Sequence, residues 1–441
     1  MEGRRNAGCP CGSGLRYKAC CGRPGDAKPP GAWIDAAMRA ALAHQRGGRN
    51  VAAHALYRQV LSSAPGLPDA MHMDGVARFA LGDHEGALES IAGAVRGFGG
   101  RFPGANENLA RVVASHLARI ASVDTEAIYL RYLELLAARE RRSPPPPARV
   151  SVVVPSHGHA AYVEAALESA LGQTRPADEI VVIDDGSPDG SVARIRAVAD
   201  RSAGRIRFAA RERRGAAATI NEAVRASSGD WIAILNSDDR FLPRRLETML
   251  DRVAGARASW GFSRCECIDA AGDAIRAGGS GRADWLRTLQ DGVASGDTVG
   301  MAFVARNPSI STGTHVFSRA LFERVGGYRD LDYTHDWDFC MRASLHDEPV
   351  FVPEALYEYR IHGANTIGAG SANADAEADG MLRARYLDAL RAAPAGNRFA
   401  PLPSVWGALF WLRAIEGGNA ALLPEGVAER LARELSARHA A

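Results

Sequence analysis

Two pairs of adjacent aspartates in this sequence are placed where they could bind a cation. Asp184 and Asp185 end one short apolar run, and Asp238 and Asp239 come just after another. Adjacent carboxylates on a loop can bind Mg²⁺ or Mn²⁺, which then bridges to substrate phosphates. A single pair would more often be a turn or a helix cap, but two pairs in the same setting favour a binding site. The glycine-rich loops that bind phosphates, GxxxxGK[ST] and GxGxxG, do not follow the first strand. We therefore expect a metal, and not a backbone loop, to neutralise the phosphates of a nucleotide diphosphate leaving group.

A third acidic segment lies later in the chain. Asp336 and Asp338 are in the first turn of a predicted helix whose other positions are mostly apolar. A carboxylate at a helix start can be an N-cap or a partner of the helix dipole. It can equally be a general base directed into a cleft, and the residues alone leave both interpretations open.

The elements that must position these acids read as a β-α-β unit followed by two more strands. The unit covers Val150–Asp189, and the later strands are Ile206–Ala209 and Trp231–Leu235. Open α/β sheets bind ligands at the carboxyl ends of their strands. If the four strands are parallel neighbours, both aspartate pairs open onto the same crevice.

Four cysteines lie within the first 21 residues, in the spacing C-x-C followed by an adjacent pair: Cys9, Cys11, Cys20 and Cys21. Four thiolates at two close pairs suit one tetrahedral Zn²⁺, and metal binding would supply the folding free energy of so small a segment. The alternative is a set of reactive or incidental cysteines, but this spacing is a specific metal signal. The segment resembles the SEC-C zinc motif, including its intervening GSG and YK.

Residues 30–143 read as an alanine-rich helical region with a repeat. Gly48–Ala53 and Gly82–Ala87 are similar and begin 34 residues apart, a period that resembles tetratricopeptide repeats. An ordinary bundle of helical hairpins is the alternative. Helical arrays bind peptides or neighbouring subunits, so we expect a protein partner for this region. A proline run, Pro144–Pro147, then marks the sharpest boundary in the chain.

Composition excludes several classes of protein. The formal net charge of +2 gives no case for a nucleic-acid binder. The first residues have no apolar signal-peptide core, and no window approaches the ~18 apolar residues of a spanning helix. We therefore expect a bacterial protein of the cytoplasm that can work at the inner face of the membrane. Cys265, Cys267 and Cys340 are expected to be buried structural thiols.

From Arg149 to about Thr366 the chain resembles a family 2 glycosyltransferase of the GT-A fold. The resemblance is carried, in family order, by VSVVVPSHGHAAYVEAALESALGQT, DEIVVIDDGSPD, GAAATINEAVRASSGDWIAILNSDD, THVFSRALFERVGGYRD and HDWDFCMR. Three departures occur: His157 replaces a common aromatic, Asn236 replaces a common aspartate, and His335 replaces a common glutamate. None removes an indispensable group.

The resemblance implies a role for each candidate residue. Those expected at the nucleotide are Pro155, Ser156, His157, Asp184, Asp185 and Asp238. Within this group Asp185 accepts from the base, Asp184 supports the loop, and Asp238 contacts the ribose or the metal. Asp239 is expected to ligate Mn²⁺ or Mg²⁺ on the diphosphate, with His362 as a further metal or diphosphate contact. Asp336 is expected to be the general base.

The sequence therefore predicts an inverting, metal-dependent glycosyltransferase. It would move a sugar from a UDP-linked donor to a hydroxyl of a glycan or protein. A catalytically silent adaptor built on the same scaffold is the alternative. The predicted domains are a zinc motif (1–26), a helical domain (30–143), an α/β catalytic domain of GT-A type (149–395) and a helical cap (396–441).

Overall fold

A computed structural model gives the fold as two compact units. One unit, here the helical unit, comprises Met1–Val123 and Trp411–Ala441, and the other, the sheet unit, comprises Asp124–Phe410. The structure describes residues 30–98, 102, 104–109, 111–112, 125–140, 149–293, 297–363, 365, 372–424 and 427. The four N-terminal cysteines predicted to bind zinc lie outside the described residues.

The helical unit is built from consecutive helices that pack against one another. In the described part of the unit, the long helices are α1 (Pro30–Arg46), α2 (Asn50–Ser63), α3 (Pro68–Ala80) and α4 (His84–Gly97). A Cβ on Gly75 would lie 2.4 Å from the Ile91 side chain, so glycine permits the close approach of α3 and α4. Helix α4 begins 34 residues after α2, since 84 − 50 = 34. The helical prediction is confirmed, and the tetratricopeptide assignment stays a prediction.

The sheet unit contains one eight-stranded sheet in the order β3-β2-β1-β4-β7-β6-β8-β5. The strands are β1 (Val150–Ser156), β2 (Glu179–Asp185), β3 (Ile206–Arg211), β4 (Trp231–Ile234), β5 (Arg240–Phe241), β6 (Trp260–Ile268), β7 (His315–Ser318) and β8 (Val350–Arg360). The first four in sheet order are parallel, as predicted. β7 runs antiparallel to β4 and β6, β8 is parallel to β6, and β5 is antiparallel to β8.

Twelve further helices are named among the described residues, and the last of them extends into the helical unit. They are α5 (Thr125–Glu140), α6 (Val163–Leu171), α7 (Ser191–Arg201), α8 (Ala216–Ala226), α9 (Arg245–Gly255), α10 (Gly281–Asp291), α11 (Val299–Ala305), α12 (Arg319–Val325), α13 (His335–Ala343), α14 (Ala372–Ala389), α15 (Pro403–Trp406) and α16 (Ala408–Glu416). Among the described residues, no helix combines the length and apolarity needed to cross a bilayer.

The central strands are buried on both faces, which explains their almost continuous apolar sequence. Val152, Val154 and Val182 are fully buried in the core that the sheet shares with its helices. The register pairs Ser156 of β1 with Asp184 of β2. This register places the polar ends of the two strands side by side at the carboxyl edge of the sheet.

Helix α5 belongs to the sheet unit, although the sequence assigned its residues to the preceding helical domain. The Tyr132 ring packs on Phe399 at 5.4 Å between centroids. The Tyr132 hydroxyl also accepts from the backbone N–H of Val299 at 3.4 Å. These contacts with distant parts of the chain could not be read from the local helical pattern.

The three cysteines predicted to be structural thiols are all buried. Burial raises the pKa of Cys265 and Cys340 well above the usual range of a thiol, and it raises the pKa of Cys267 to about 11. A thiol that keeps its proton is a poor nucleophile and a poor metal ligand. The α/β class and the preceding helical region are likewise as predicted.

Candidate active site

A cavity of about 590 Å³ opens at the carboxyl edge of the parallel strands. Its walls come from the loops after β1, β2 and β4, from the segment before β7, and from the start of α13. Seven residues predicted from the sequence line it: Pro155, Ser156, His157, Asp185, Asp238, Asp239 and Asp336. The structure thus brings one acid of the first pair, both acids of the second pair and one acid of the third segment to one cavity, at the strand edge where the parallel arrangement predicts them.

Asp184 is fully buried and binds neighbouring loop residues. Its Oδ2 accepts from the Ser156 hydroxyl at 3.1 Å and from the Ser187 hydroxyl at 2.6 Å. Its Oδ1 accepts from the Ser187 backbone N–H at 2.8 Å. This carboxylate therefore ties the end of β1 to the loop after β2.

Asp185 lines the cavity but already has several protein partners. It forms an ion pair with Arg211 and accepts from the backbone N–H groups of Arg214 and Gly215, both at 2.8 Å. These contacts fix the segment that leads into α8. His157 lies beside it, with Nδ1 3.0 Å from the Asp185 carbonyl oxygen. Because a carbonyl only accepts, Nδ1 of His157 carries the proton.

Asp238 is brought together with two histidines. His362 Nε2 lies 3.1 Å from Asp238 Oδ2, and His159 Nε2 lies 3.8 Å from the same oxygen. The three ligand atoms are all within 4.8 Å of one another. Burial alone would raise the pKa of Asp238, but the His362 hydrogen bond and the charges of the two histidines lower it. Two imidazoles and one carboxylate are ligands that suit a transition-metal ion.

Asp239, the adjacent aspartate, is occupied by protein donors. Its Oδ1 accepts from the Arg360 backbone N–H at 2.7 Å, and its Oδ2 accepts from the Tyr357 hydroxyl at 2.7 Å and from the Asn236 amide at 3.2 Å. Burial and the charge of Asp238 raise its pKa well above the usual range. The carboxylate thus joins β8 to the loop after β4, and Asp238 is the better placed of the pair to hold a metal.

Asp336 lies in the first turn of α13 and faces the cavity. Its Oδ1 accepts from the Trp337 backbone N–H at 2.7 Å, and its Oδ2 accepts from the Asn307 amide at 3.0 Å. Burial raises its pKa, and the charge of His335 and these two donors offset the effect only in part. A carboxylate with a raised pKa is suited to general-base chemistry near neutral pH.

Asp338, the second acid of this turn, faces the other way. It is buried and accepts from Arg342 at 2.7 Å, and Arg385 lies 3.4 Å from its other oxygen. Arg329 lies 3.7 Å from that same oxygen, so three arginines neutralise Asp338. This leaves Asp336 as the acid of the turn that faces the cavity.

Sequence reasoning missed the segment before β7, which forms one wall of the cavity. Ile310 in this wall has φ +69°, a conformation that is rare and strained for a β-branched residue. The Ser311 N–H donates to the Ser309 carbonyl at 2.8 Å, which closes a tight turn around Ile310. Ser311 also accepts from Asn236 at 2.8 Å, so this wall is fixed to the loop that carries Asp238.

His159 was also missed, although the sequence did contain a signal. It is the second histidine in the loop after β1, and it lines the cavity beside Asp238. His362, which was predicted only as a further contact, joins the same cluster. The signal was the presence of two histidines, close together, in a loop at the carboxyl end of a strand, which is where ligands bind.

Comparison with known proteins identifies the class of this domain. Residues 151–267 match glycosyl transferase family 2, and the chain therefore carries a glycosyltransferase domain of that family. With the sheet described above, the match confirms the predicted GT-A class. Residues 5–23 match the SEC-C motif, as the cysteine spacing predicted.

Relatives cover parts of the chain. The succinoglycan biosynthesis protein ExoO of Rhizobium meliloti (strain 1021) is 35% identical over 128 residues, which are 29% of this chain and 36% of ExoO. An uncharacterized glycosyltransferase of Nostoc sp. is 25% identical over 235 residues, 52% of this chain and 70% of that protein. The chain covers 65% of an uncharacterized glycosyltransferase of Rickettsia typhi at 24% identity, so it spans less than two thirds of the length of that protein and of ExoO.

Solved structures give weaker likenesses. The mannosyltransferase PcManGT from Pyrobaculum calidifontis, in complex with GDP-Man and Mn²⁺, is 19% identical with a TM-score of 0.46, covering 76% of this chain and 87% of that one. S. aureus TarS in complex with UDP is 17% identical with a TM-score of 0.42, covering 55% and 66%. The class of the domain rests on the family match and the sheet, and not on these likenesses.

Proposed function

We propose that this chain is an inverting, divalent-metal-dependent glycosyltransferase that uses a nucleotide-sugar donor, UDP-linked, and a hydroxyl acceptor. The observation that carries the proposal is the opening of Asp238, His159 and Asp336 onto one cavity of a family 2 domain, with His362 beside Asp238. The nucleotide would bind along the loops after β1 and β2, where Pro155 and His157 line the cavity.

The residues around Asp238 fit a resident cation. His159, Asp238 and His362 present two nitrogens and one oxygen, and imidazole ligands favour Mn²⁺ over Mg²⁺, which prefers oxygen. A cation bound there would neutralise the negative charge that develops on the diphosphate leaving group. The proposed ligand is thus Asp238 in place of Asp239, whose oxygens accept from Arg360, Tyr357 and Asn236.

Asp336 is proposed as the general base. Its carboxylate would take the proton of the acceptor hydroxyl as the acceptor oxygen bonds to the anomeric carbon. The bond from that carbon to the phosphate oxygen breaks, and its electron pair leaves with the nucleoside diphosphate. Attack from the side opposite the leaving group inverts the configuration. A single carboxylate suffices because the diphosphate leaves without a general acid.

The acceptor is proposed to be a glycan or a protein, encountered in the cytoplasm or at the inner face of the membrane. The helical unit and the zinc-binding N-terminal motif would recruit a protein partner, since such modules present binding surfaces. The alternative of a silent adaptor is disfavoured because Asp238 and His159 of the metal ligand set and the candidate base all line the cavity.

The decisive experiment combines binding and turnover. A panel of nucleotide sugars is screened by thermal shift with Mn²⁺, and transfer or slow donor hydrolysis is measured with and without chelator. We expect Asp336→Asn to bind nucleotide normally and to lose turnover by about 10²–10⁴-fold. Full turnover in this variant would overturn the base assignment. Absence of nucleotide binding by calorimetry with Mn²⁺ would favour the adaptor.

A further inference from the structure

The Asn307 side chain donates to the proposed base from outside its helix. Asn307 Nδ2 lies 3.0 Å from Asp336 Oδ2, and the two residues are 29 positions apart in the chain. The other carboxylate oxygen, Oδ1, accepts from the Trp337 backbone N–H at 2.7 Å. Both oxygens of Asp336 are therefore held, and Asn307 is the side chain that fixes Oδ2.

The orientation of the Asn307 amide follows from its neighbours. Its Oδ1 accepts from the Ser309 backbone N–H at 3.2 Å and from the Ser309 hydroxyl at 2.6 Å. A backbone N–H can only donate, so the atom it faces must be the amide oxygen. The NH₂ group must consequently face Asp336, and a flipped amide would set its oxygen against the carboxylate.

The same reasoning fixes the proton of the buried His315. The Ser309 hydroxyl gives its proton to Asn307, so it must accept from His315 Nε2 at 3.0 Å. His315 is then protonated on Nε2, and its Nδ1 accepts from the Tyr328 hydroxyl at 3.2 Å. Burial lowers the pKa of His315 to about 3 and raises that of Tyr328 well above its usual range. Both side chains are therefore neutral at physiological pH.

We propose that Asn307 is the positioning residue of the general base, and that a one-directional chain of hydrogen bonds from Tyr328 through His315 and Ser309 orients it. Every donor in this chain points toward Asp336, with no link reversed. The chain ends at a carboxylate, which only accepts when ionised. This assignment rests on the proposed function, because Asn307 can position the general base only if Asp336 is that base.

The chemical consequence concerns the readiness of the base. A donor that bonds to the charged form of a carboxylate favours that form. Burial raises the pKa of Asp336, and Asn307 opposes this effect together with the charge of His335 and the Trp337 N–H. The other titratable groups whose charges couple to Asp336 are Tyr328 and Cys340, which stay neutral because burial raises the pKa of both. Asn307 thus keeps the base ionised without placing a positive charge near the donor.

The first test measures the pKa of Asp336 directly in the full chain. Protein with ¹³C-carboxyl-labelled aspartate is titrated by NMR, and the Asp336 signal is assigned by its loss in Asp336→Asn. We expect Asn307→Ala to raise this pKa by about one unit, the size of one hydrogen bond to a charged group. The near-isosteric Asn307→Asp should raise it further, because two carboxylates would face each other. An unchanged pKa in both variants would overturn the proposal.

Cys340→Ala is the matched control. The thiol lies 3.3 Å from His315 Nε2 but forms none of the four links. We expect this variant to leave the pKa of Asp336 unchanged. A shift as large as that of Asn307→Ala would mean that general repacking around His315, and not the Asn307 amide, sets the pKa.

The second test uses the unmodified protein. The ¹⁵N spectrum of His315 should show a proton on Nε2 and a bare Nδ1, and a proton on Nδ1 would contradict the direction of the chain. Neither spectroscopic test depends on turnover. If the pKa of Asp336 shifts as expected while Asp336→Asn remains fully active, Asn307 does orient the Asp336 carboxylate, but Asp336 is not the general base. If Asp336→Asn is inactive while Asn307→Ala leaves the pKa unchanged, Asp336 is the base, but Asn307 does not position it.

Discussion

Glu377 accepts two hydrogen bonds from Thr334, one from its backbone N–H and one from its hydroxyl, both at 2.8 Å. The same carboxylate accepts from the backbone N–H groups of Asp332 and Tyr333, also at 2.8 Å. Thr334 is the N-cap residue of α13, and Asp336 follows two positions later. A side chain of α14 therefore fixes the segment that leads into the proposed base.

Loss of this carboxylate should affect both stability and turnover. We expect Glu377→Ala to lower the free energy of unfolding by about 2 kcal/mol, as removal of hydrogen bonds to a charged group does. Turnover should fall by about tenfold or more, because small displacements of catalytic groups are costly. Calorimetry and steady-state kinetics measure the two effects. The control is Asp375→Asn, an exposed acid on the same helix, which should change neither. If both variants lower stability and turnover equally, Glu377 does not specifically hold the segment before Asp336.

The ionisation of the Glu377 carboxylate should also be visible in the pH dependence of stability. Burial would raise the pKa of Glu377, but the four donors lower it overall. Its contribution is therefore complete above the usual glutamate pKa of about 4.3 and is lost as the pH falls through the lower folded value. The difference in melting temperature between the wild type and Glu377→Gln should shrink below about pH 4. A difference that is constant with pH would argue against an ionised Glu377.

The two adjacent aspartates should behave differently toward metal. We expect Asp238→Asn to weaken Mn²⁺ binding, measured by paramagnetic resonance titration, by about tenfold or more. Asp239→Asn should mainly lower the melting temperature, since its oxygens accept from Arg360, Tyr357 and Asn236. If Asp239→Asn has the larger effect on Mn²⁺ affinity, the ligand is Asp239, as the sequence predicted.

His159 provides an independent test of the metal site. We expect His159→Gln to weaken Mn²⁺ binding, because its Nε2 is one of the three clustered ligand atoms. His157→Gln is the matched control in the same loop, and its ring contacts the Asp185 carbonyl. Identical Mn²⁺ affinities for the wild type and His159→Gln would exclude this histidine as a ligand.

The sequence predicted the parallel strands well, because their apolar runs follow from burial on both faces. It also predicted which acids meet, since carboxyl ends of parallel strands share an edge. It assigned the metal to Asp239 without the contacts that favour Asp238, because those contacts come from Tyr357 and Arg360 of β8, far away in the chain.

The supports of the proposed base were likewise invisible in the sequence. Asn307 and Glu377 lie 29 and 43 positions from Asp336 and Thr334, the residues they bind. Neither residue lies in a recognisable motif. The turn at Ile310 is equally hard to predict, because the position with positive φ is an isoleucine and not a glycine. Such contacts arise from tertiary packing, on which local patterns carry no information.

The N-terminal motif gives a prediction that stands apart from the catalytic domain. We expect the purified chain to contain zinc, and a Cys9→Ser, Cys11→Ser double variant to lose it, because two thiolates cannot complete a tetrahedral site. Atomic emission analysis measures the metal. Unchanged zinc content in the variant would mean that these cysteines are not ligands.

The pH profile of turnover should follow the ionisation of Asp336. A general base acts in its deprotonated form, so turnover rises as the pH increases through its pKa. Burial raises that pKa above the usual value for aspartate, about 3.9, so the acidic limb should lie above this value. The positive charge of protonated His335 lowers the pKa of Asp336, so His335→Gln should move the limb to higher pH. Measurement of turnover against pH at saturating donor tests both statements. A limb that moves to lower pH in His335→Gln would contradict the assignment, because removing a nearby positive charge can only make the carboxylate harder to ionise.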